Sequence, residues 1–230
     1  MLALVRIHVP LAVHDPRTRI TKHIVDRVWD YVVENHEEWH TDDVKPLYMT
    51  RRYLEEDTSL IVDAKDADVL AEFLMDKIAP IENVRGIWVI NMARMKLFIT
   101  PKEHHHDLSR FTVTIDAMPQ HADEIYETVS ALKPGRDVVI VYVAHTFQSL
   151  TASLMVSALA RSADHMNAFV DDYIKPLEGV VETETTYISK TLRLATPKEW
   201  KESLGPYFVY PGGESIRGID VEDYSLMAGC

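Results

Sequence analysis

Cysteine is almost missing from this chain. Of 230 residues one is cysteine, Cys230 at the last position, which excludes an intramolecular disulfide and leaves no thiolate cluster for a structural metal. That usage suits a reducing cytoplasm. Positive charge is scarce as well: 24 Lys and Arg against 36 Asp and Glu leave a net charge of −12, so nucleic acid is not an expected partner. No stretch approaches ~18 uninterrupted apolar residues, and Met1-Leu-Ala-Leu-Val-Arg6 lacks the basic start and small-residue cleavage site of an export signal, so no membrane association is expected. A Gly-rich phosphate loop, a nucleophile elbow and a dinucleotide fingerprint are all lacking, which removes nucleotide-driven chemistry and serine hydrolysis. What is present is ordinary for a soluble globular protein, 47% hydrophobic and 26% charged, in a chain long enough for one large domain or two small ones.

The strongest internal signal is a repeat. Residues 73–84 read FLMDKIAPIENV and residues 169–180 read FVDDYIKPLEGV, sharing Phe, Asp, Ile, Pro, Glu and Val at a constant offset of 96. At the same offset Thr100-Pro-Lys-Glu103 meets Thr196-Pro-Lys-Glu199, and with a two-residue gap Ser59-Leu-Ile-Val62 meets Ser153-Leu-Met-Val156. Two copies argue for a duplicated domain and against a solenoid. The boundaries that follow are 1–103 for the first copy, 108–199 for the second, and 200–230 for a C-terminal tail.

Each copy reads in the same order. Ala3, Val5, Ile7 and Val9 alternate with Leu4, Arg6 and His8, the period of a half-buried strand. Asp15-Pro16 supplies a cap and a first-turn proline, and Ile20, Ile24, Val28 and Val32 predict an amphipathic helix over 16–38. Strands are expected at 45–53 and 57–64, then a helix ending near Pro80 and a strand over 85–98. Copy two repeats this with strand 109–118, helix 121–132, strands 137–147 and 151–159, helix 163–175 and strand 180–193. The order β-α-β-β-α-β makes a ferredoxin-like unit with both helices on one sheet face. The bare face would carry Leu4, Trp88, Ile90 and Met92, at a large cost if left in water. The expected fold is therefore α+β, two ferredoxin-like repeats packed sheet to sheet as a pseudo-dimeric α+β barrel, with further homo-oligomerisation.

Ser153-Leu-Met-Val156, Phe169, Ile174-Lys-Pro-Leu-Glu-Gly-Val180, Glu182-Thr-Glu-Thr185 and Ile188 together resemble the effector-binding domain of the leucine-responsive and asparagine regulators (Lrp/AsnC), and Ser59–Val62 with Phe73–Val84 resemble it more weakly. The resemblance covers residues 1 to roughly 195. It implies a ferredoxin-like fold and binding of a small amino-acid-like effector. Two departures are visible: a strand opens the chain where that family has a DNA-reading helix-turn-helix, and the central hairpin segments, Tyr53–Asp57 and Phe147–Thr151, lack its glycine.

Three constellations could carry chemistry. His36-Glu37-Glu38-Trp39-His40 matches the zinc-hydrolase spacing H-E-x-x-H, against the alternative of a solvated polar helix end. His104-His-His106-Asp107 could capture a divalent ion but reads equally as an exposed linker, so no metal is assigned and His36, His40, His104 and His106 stand as candidate ligands. The third follows from the fold: Arg6, His8, Thr112, Thr114 and Asp116 should point into the barrel, with Asn91 or Arg94 and His145 beside Thr146 completing the lining. There Arg6 would anchor a carboxylate and His8 or His145 would handle a proton. The structural alternative pairs Arg6 with Asp116 and leaves His8 a satisfied core histidine.

The tail from 200 holds five of eight glycines among aromatics such as Tyr207, Phe208, Tyr210 and Tyr224, and is expected to dock on its own barrel or on a neighbouring subunit. The leading functional expectation is a cytoplasmic small-molecule-binding protein of sensory or regulatory type. The alternative is an enzyme on the same scaffold, of monooxygenase, haem-dependent or tetrapyrrole-decarboxylase type, and a third reading is a structural subunit. No particular cofactor is implied by the residues.

Overall fold

The computed structural model describes residues 1–10, 12–15, 20–52, 57–98, 108–133, 137–147 and 152–209. The first half runs β1 (Leu2–His8), a small hairpin β2 (Ala12–Asp15) and β3 (Ile20–His23), α1 (Ile24–Asn35), β4 (Val44–Arg52), β5 (Asp57–Ala64), α2 (Ala67–Phe73) and β6 (Gly86–Phe98). The second runs β7 (Ser109–Ala117), α3 (Ala122–Ala131), β8 (Val138–Phe147), β9 (Ala152–Ala160), α4 (Ala163–Phe169) and β10 (Val180–Arg193), followed by α5 (Pro197–Leu204) and β11 (Phe208–Val209).

Local chemistry explains the matched halves. Asp66 caps α2 by accepting from the Val69 amide, and Ser162 caps α4 by accepting from the His165 amide. Both helices widen into one π turn, Leu74–Ile78 and Val170–Ile174, before a proline stops them. The chain then turns into its last strand through a left-handed residue, Asn83 (φ 71°) in one half and Gly179 (φ 88°) in the other.

The first half orders its strands β4-β5-β1-β6 and the second β8-β9-β7-β10, all antiparallel. The two sheets meet edge to edge, β6 on β8 and β4 on β10, so eight strands close into a barrel. Closure removes the free edges and turns the two bare sheet faces into one inner wall. Leu4, Ile90 and Met92 go inside as expected, but Trp88 is 45% exposed at one rim, where its ring lies over Gly86. Helices α1 and α2 cover the outside of the first sheet through Val28, Val32, Leu70 and Phe73; α3 and α4 cover the second through Ile125, Val129, Met166 and Phe169.

Matching charges fasten both seams. From β6, Arg94 reaches Asp123 (2.7 Å) and Glu127 (2.9 Å) on α3, and lies 4.7 Å from the Tyr126 ring centroid. From β10, 96 positions later, Lys190 reaches Asp26 on α1 (3.7 Å) and lies 5.9 Å from the Trp29 ring. Each fourth strand thus sets a cation on an acid and an aromatic of the other half's first helix.

Two expectations need correction. The helix foreseen over 16–38 is shorter: Ile20–His23 pair with Ala12–Asp15 as the β2–β3 hairpin, Ala12 opposite His23, because Ile20 and Thr21 favour extended backbone. Residues His36–Trp39 leave the α-helix for a 3₁₀ turn, and Trp39 inserts into the core against Phe73. The tail boundary at 200 falls inside α5, whose capping box, Thr196 with Glu199, is built from the second copy of the repeated tetrapeptide. The tail then adds β11 in parallel to the end of β6. His104, His106, the hairpin tips 53–56 and 148–151, and residues 210–230 lie outside the described residues. No described helix is long and apolar enough to cross a membrane.

Candidate functional site

The barrel interior is graded from a sealed floor to a polar mouth. Leu2 and Leu47, at the starts of β1 and β4, cluster with Leu97 and Leu159, at the ends of β6 and β9, and with Trp200 and Leu204 of α5. Helix α5 is therefore a plug, with Trp200 1% exposed. The opposite strand ends bring Arg6, Arg52, Asp116, Thr146, Ser153 and Glu184 together, and the Glu184 side chain is 62% exposed there. Between floor and mouth lies a cavity of about 250 Å³.

Its charged residues are arranged in two levels. At the mouth Asp57 gathers two guanidinium groups and an imidazole: Arg6 at 2.5 Å, His8 Nδ1 at 2.9 Å and Arg52 at 3.8 Å. Arg52 also meets Glu184 at 3.3 Å and donates to the Thr186 hydroxyl. Asp116 accepts from the Ser153 hydroxyl at 2.7 Å. Deeper in, next to Leu159 and Ile188 across the ladder, stands Arg110, 3% exposed. Its guanidinium carbon is 5.3 Å from the Tyr48 ring centroid. Burial pulls its pKa down to about 10, so it remains a cation at neutral pH. Burial pushes the phenol of Tyr142, its neighbour in the cavity wall, up to about 12, with the Arg110 charge opposing the shift. Tyr142 is thus a neutral phenol, which donates to Met155 Sδ at 3.5 Å. The Tyr48 hydroxyl is buried without a hydrogen-bond partner among the described residues.

Arg6, Thr112, Thr114 and Asp116 all line the cavity. Arg6 pairs with Asp57, not with Asp116. His8, Asn91 and His145 lie outside the lining. His8 is at the rim, fixed by Asp57 and edge-on to Trp88 at 5.4 Å. Asn91 alternates with inward Ile90 and Met92 and so faces out, exposed. His145 and Thr146 cannot share a face on one strand: Thr146 is inside, and His145 packs outward against Tyr126, 3.3 Å from Asp123. Arg94 faces outward too, at the seam.

The zinc-type spacing is dissolved by its backbone. His36 Nδ1 bonds the Val33 carbonyl at 2.8 Å, His40 Nδ1 bonds Glu199 at 3.2 Å, and the two rings are 6.3 Å apart. Burial opposes ionisation of Glu199, but hydrogen bonds from Thr196 and the His40 imidazole outweigh it and hold that carboxyl low. Among the described residues no group of three His, Cys, Asp or Glu side chains is arranged to hold a metal ion.

Arg110, Tyr48, Tyr142, Arg52 and Asp57 were not anticipated as site residues. Arg110 had a signal, since it continues the period-two row Thr112, Thr114, Asp116. Tyr48 and Tyr142 had another: they stand 94 residues apart, the offset that relates Ser59 to Ser153.

No protein-family model and no curated protein matches the chain. Among solved structures it is similar to a putative monooxygenase from Lactobacillus acidophilus (9% identity, 84% of this chain and 94% of that one, TM-score 0.50). It is likewise similar to an anthrone oxidase-like protein (10% identity, 85% and 94%, TM-score 0.51). A chlorite dismutase from Candidatus Nitrospira defluvii aligns at 11% identity over 90% of this chain and 94% of its own, with a TM-score of 0.48. The likeness to the first two establishes the fold alone, a dimeric α+β barrel realised here within one chain.

Proposed function

We propose that the barrel interior binds a compact, carboxylate-bearing molecule, with Arg110 as its anchor, in a sensory or regulatory role. The observation that carries this reading is the placement of a 3%-exposed guanidinium in the wall of the cavity, beside two tyrosines. An arginine in a cavity wall meets an entering anion through charge-assisted hydrogen bonds. The planar fork of arginine matches a carboxylate with two parallel bonds.

The same lining favours recognition over proton transfer. Tyr142 is a phenol and Arg110 a cation at neutral pH, while the carboxylates Asp116 and Glu184 are confined to the mouth. A catalytic reading rests on one observation, the His8 imidazole oriented by Asp57 at the rim, where it could exchange a proton with a molecule entering the barrel. The fold shared with a putative monooxygenase is an analogy at the level of scaffold.

Titration calorimetry with pyruvate, hexanoate and gluconate tests the proposal. The wild-type protein binds at least one of them, Arg110→Met weakens that binding tenfold or more, and Arg110→Lys retains part of it. Equal binding by wild type and Arg110→Met overturns it.

A further inference from the structure

Ligand pockets are usually walled by apolar and aromatic side chains with a few polar groups placed among them. This cavity carries a larger polar share. Of the nineteen residues that line it, nine carry a hydroxyl and five are aliphatic or thioether side chains. The hydroxyls occur at more than one level: Ser157 stands between Tyr142 and Thr112 across the ladder, Thr50 beside Ser59, and Thr114 nearer the mouth. Some are engaged within the wall, as Ser153 is with Asp116 and Thr146 with the Ser153 carbonyl. That of Tyr48 is buried with no hydrogen-bond partner among the described residues.

A serine or threonine hydroxyl both donates and accepts and rotates to suit. A wall of such groups is matched by a ligand whose own groups also donate and accept along its length. A hydrocarbon or aromatic ring in the same space would displace the water that solvates those hydroxyls and return nothing, which is how polar sites reject analogues lacking a hydroxyl. We infer that the occupant is a polyhydroxylated acid of the sugar-acid class, its carboxylate at Arg110 and its hydroxyls against the threonine and serine rows. This rests on the carboxylate reading above and narrows it. The space, about 250 Å³, far exceeds the ~10–15 Å³ that a single water needs.

The test compares three probes by titration calorimetry on the full chain: gluconate, which carries both features; hexanoate, which keeps only the carboxylate; and sorbitol, which keeps only the hydroxyls. Gluconate is expected to bind at least tenfold more tightly than either. The double variant Thr112→Val, Ser157→Ala is expected to weaken gluconate at least fivefold and to leave hexanoate unchanged or tighter. Thr114→Val, near the mouth, provides a second variant should the deeper pair impair folding, with the same selective loss expected. Hexanoate binding as tightly as gluconate, or variants that weaken both acids alike, overturns the sugar-acid inference while leaving the carboxylate site standing. Sorbitol matching gluconate removes the role of Arg110, and binding by none of the three overturns both readings.

Discussion

Arg110 and Tyr48 meet inside the barrel although 62 positions separate them in the chain, the guanidinium carbon 5.3 Å from the centre of the ring. One comes from β7 of the second half and the other from β4 of the first, so the contact ties the two sheets together inside the barrel. The ring and the hydroxyl of Tyr48 do different work. Tyr48→Leu removes the cation–π contact and should cost roughly 1–2 kcal/mol in chemical denaturation. Tyr48→Phe keeps the ring and deletes a hydroxyl buried without a partner among the described residues, so stability should stay within about 0.5 kcal/mol or rise, while carboxylate binding weakens.

His145 gives the fold a pH dependence of known sign. It is buried between β8 and α3, where desolvation lowers its pKa; the Arg94 charge acts in the same direction, and Asp123 and Glu127 oppose it. Lys96 and Tyr126 complete its surroundings. The unfolded chain therefore takes up this proton more readily than the folded one, and stability declines as pH falls below the ordinary histidine value of ~6.5. Thermal melts between pH 7.5 and 5.5 should show a steeper fall for wild type than for His145→Gln. Parallel slopes would contradict the assignment.

The fold was legible because its signals are local and repeated. Alternation in Leu4, Arg6 and His8, the proline stops and the 96-residue offset together specify the element order, and the apolar bare face demands a cover. Two things were hidden. Competition between helix and hairpin at Ile20–His23 is decided by strand pairing, Ala12 with His23, which periodicity does not report. Which of two neighbouring polar residues enters the barrel is decided by strand register: His145 and Asn91 were each one position from an inward site, and a single step sends a side chain to the opposite face. Arg110 was missed for a different reason, since an arginine at a strand start reads as a solvated end until α5 is seen to close that end of the barrel.

The plug itself makes a quantitative claim. Trp200 is 1% exposed and packs with Leu204 against Leu47 and Leu97. Trp200→Ala should cost about 3–5 kcal/mol, a fall in Tm of roughly 6–20 °C at 2–4 °C per kcal/mol for a chain of this size. Arg94→Ala, at an exposed seam pair, should cost less than ~1 kcal/mol.

The two left-handed turns should respond oppositely to substitution. Gly179, at φ 88°, has the Cβ of His121 2.4 Å from where its own Cβ would stand, so Gly179→Ala combines backbone strain with a clash and should cost upward of ~2 kcal/mol. Asn83, at φ 71°, occupies the matching position in the first half, and Asn83→Gly should be neutral to within about 0.5 kcal/mol. Denaturant midpoints of the two variants check both values.

The central claim is that the closed barrel holds an acid at Arg110, and a crystal structure of the protein grown with gluconate tests it most directly. The account predicts the carboxylate inside the barrel, with oxygens about 2.7–2.9 Å from the Arg110 guanidinium nitrogens. Gluconate bound only on the outer surface, with water alone filling the interior, would contradict it.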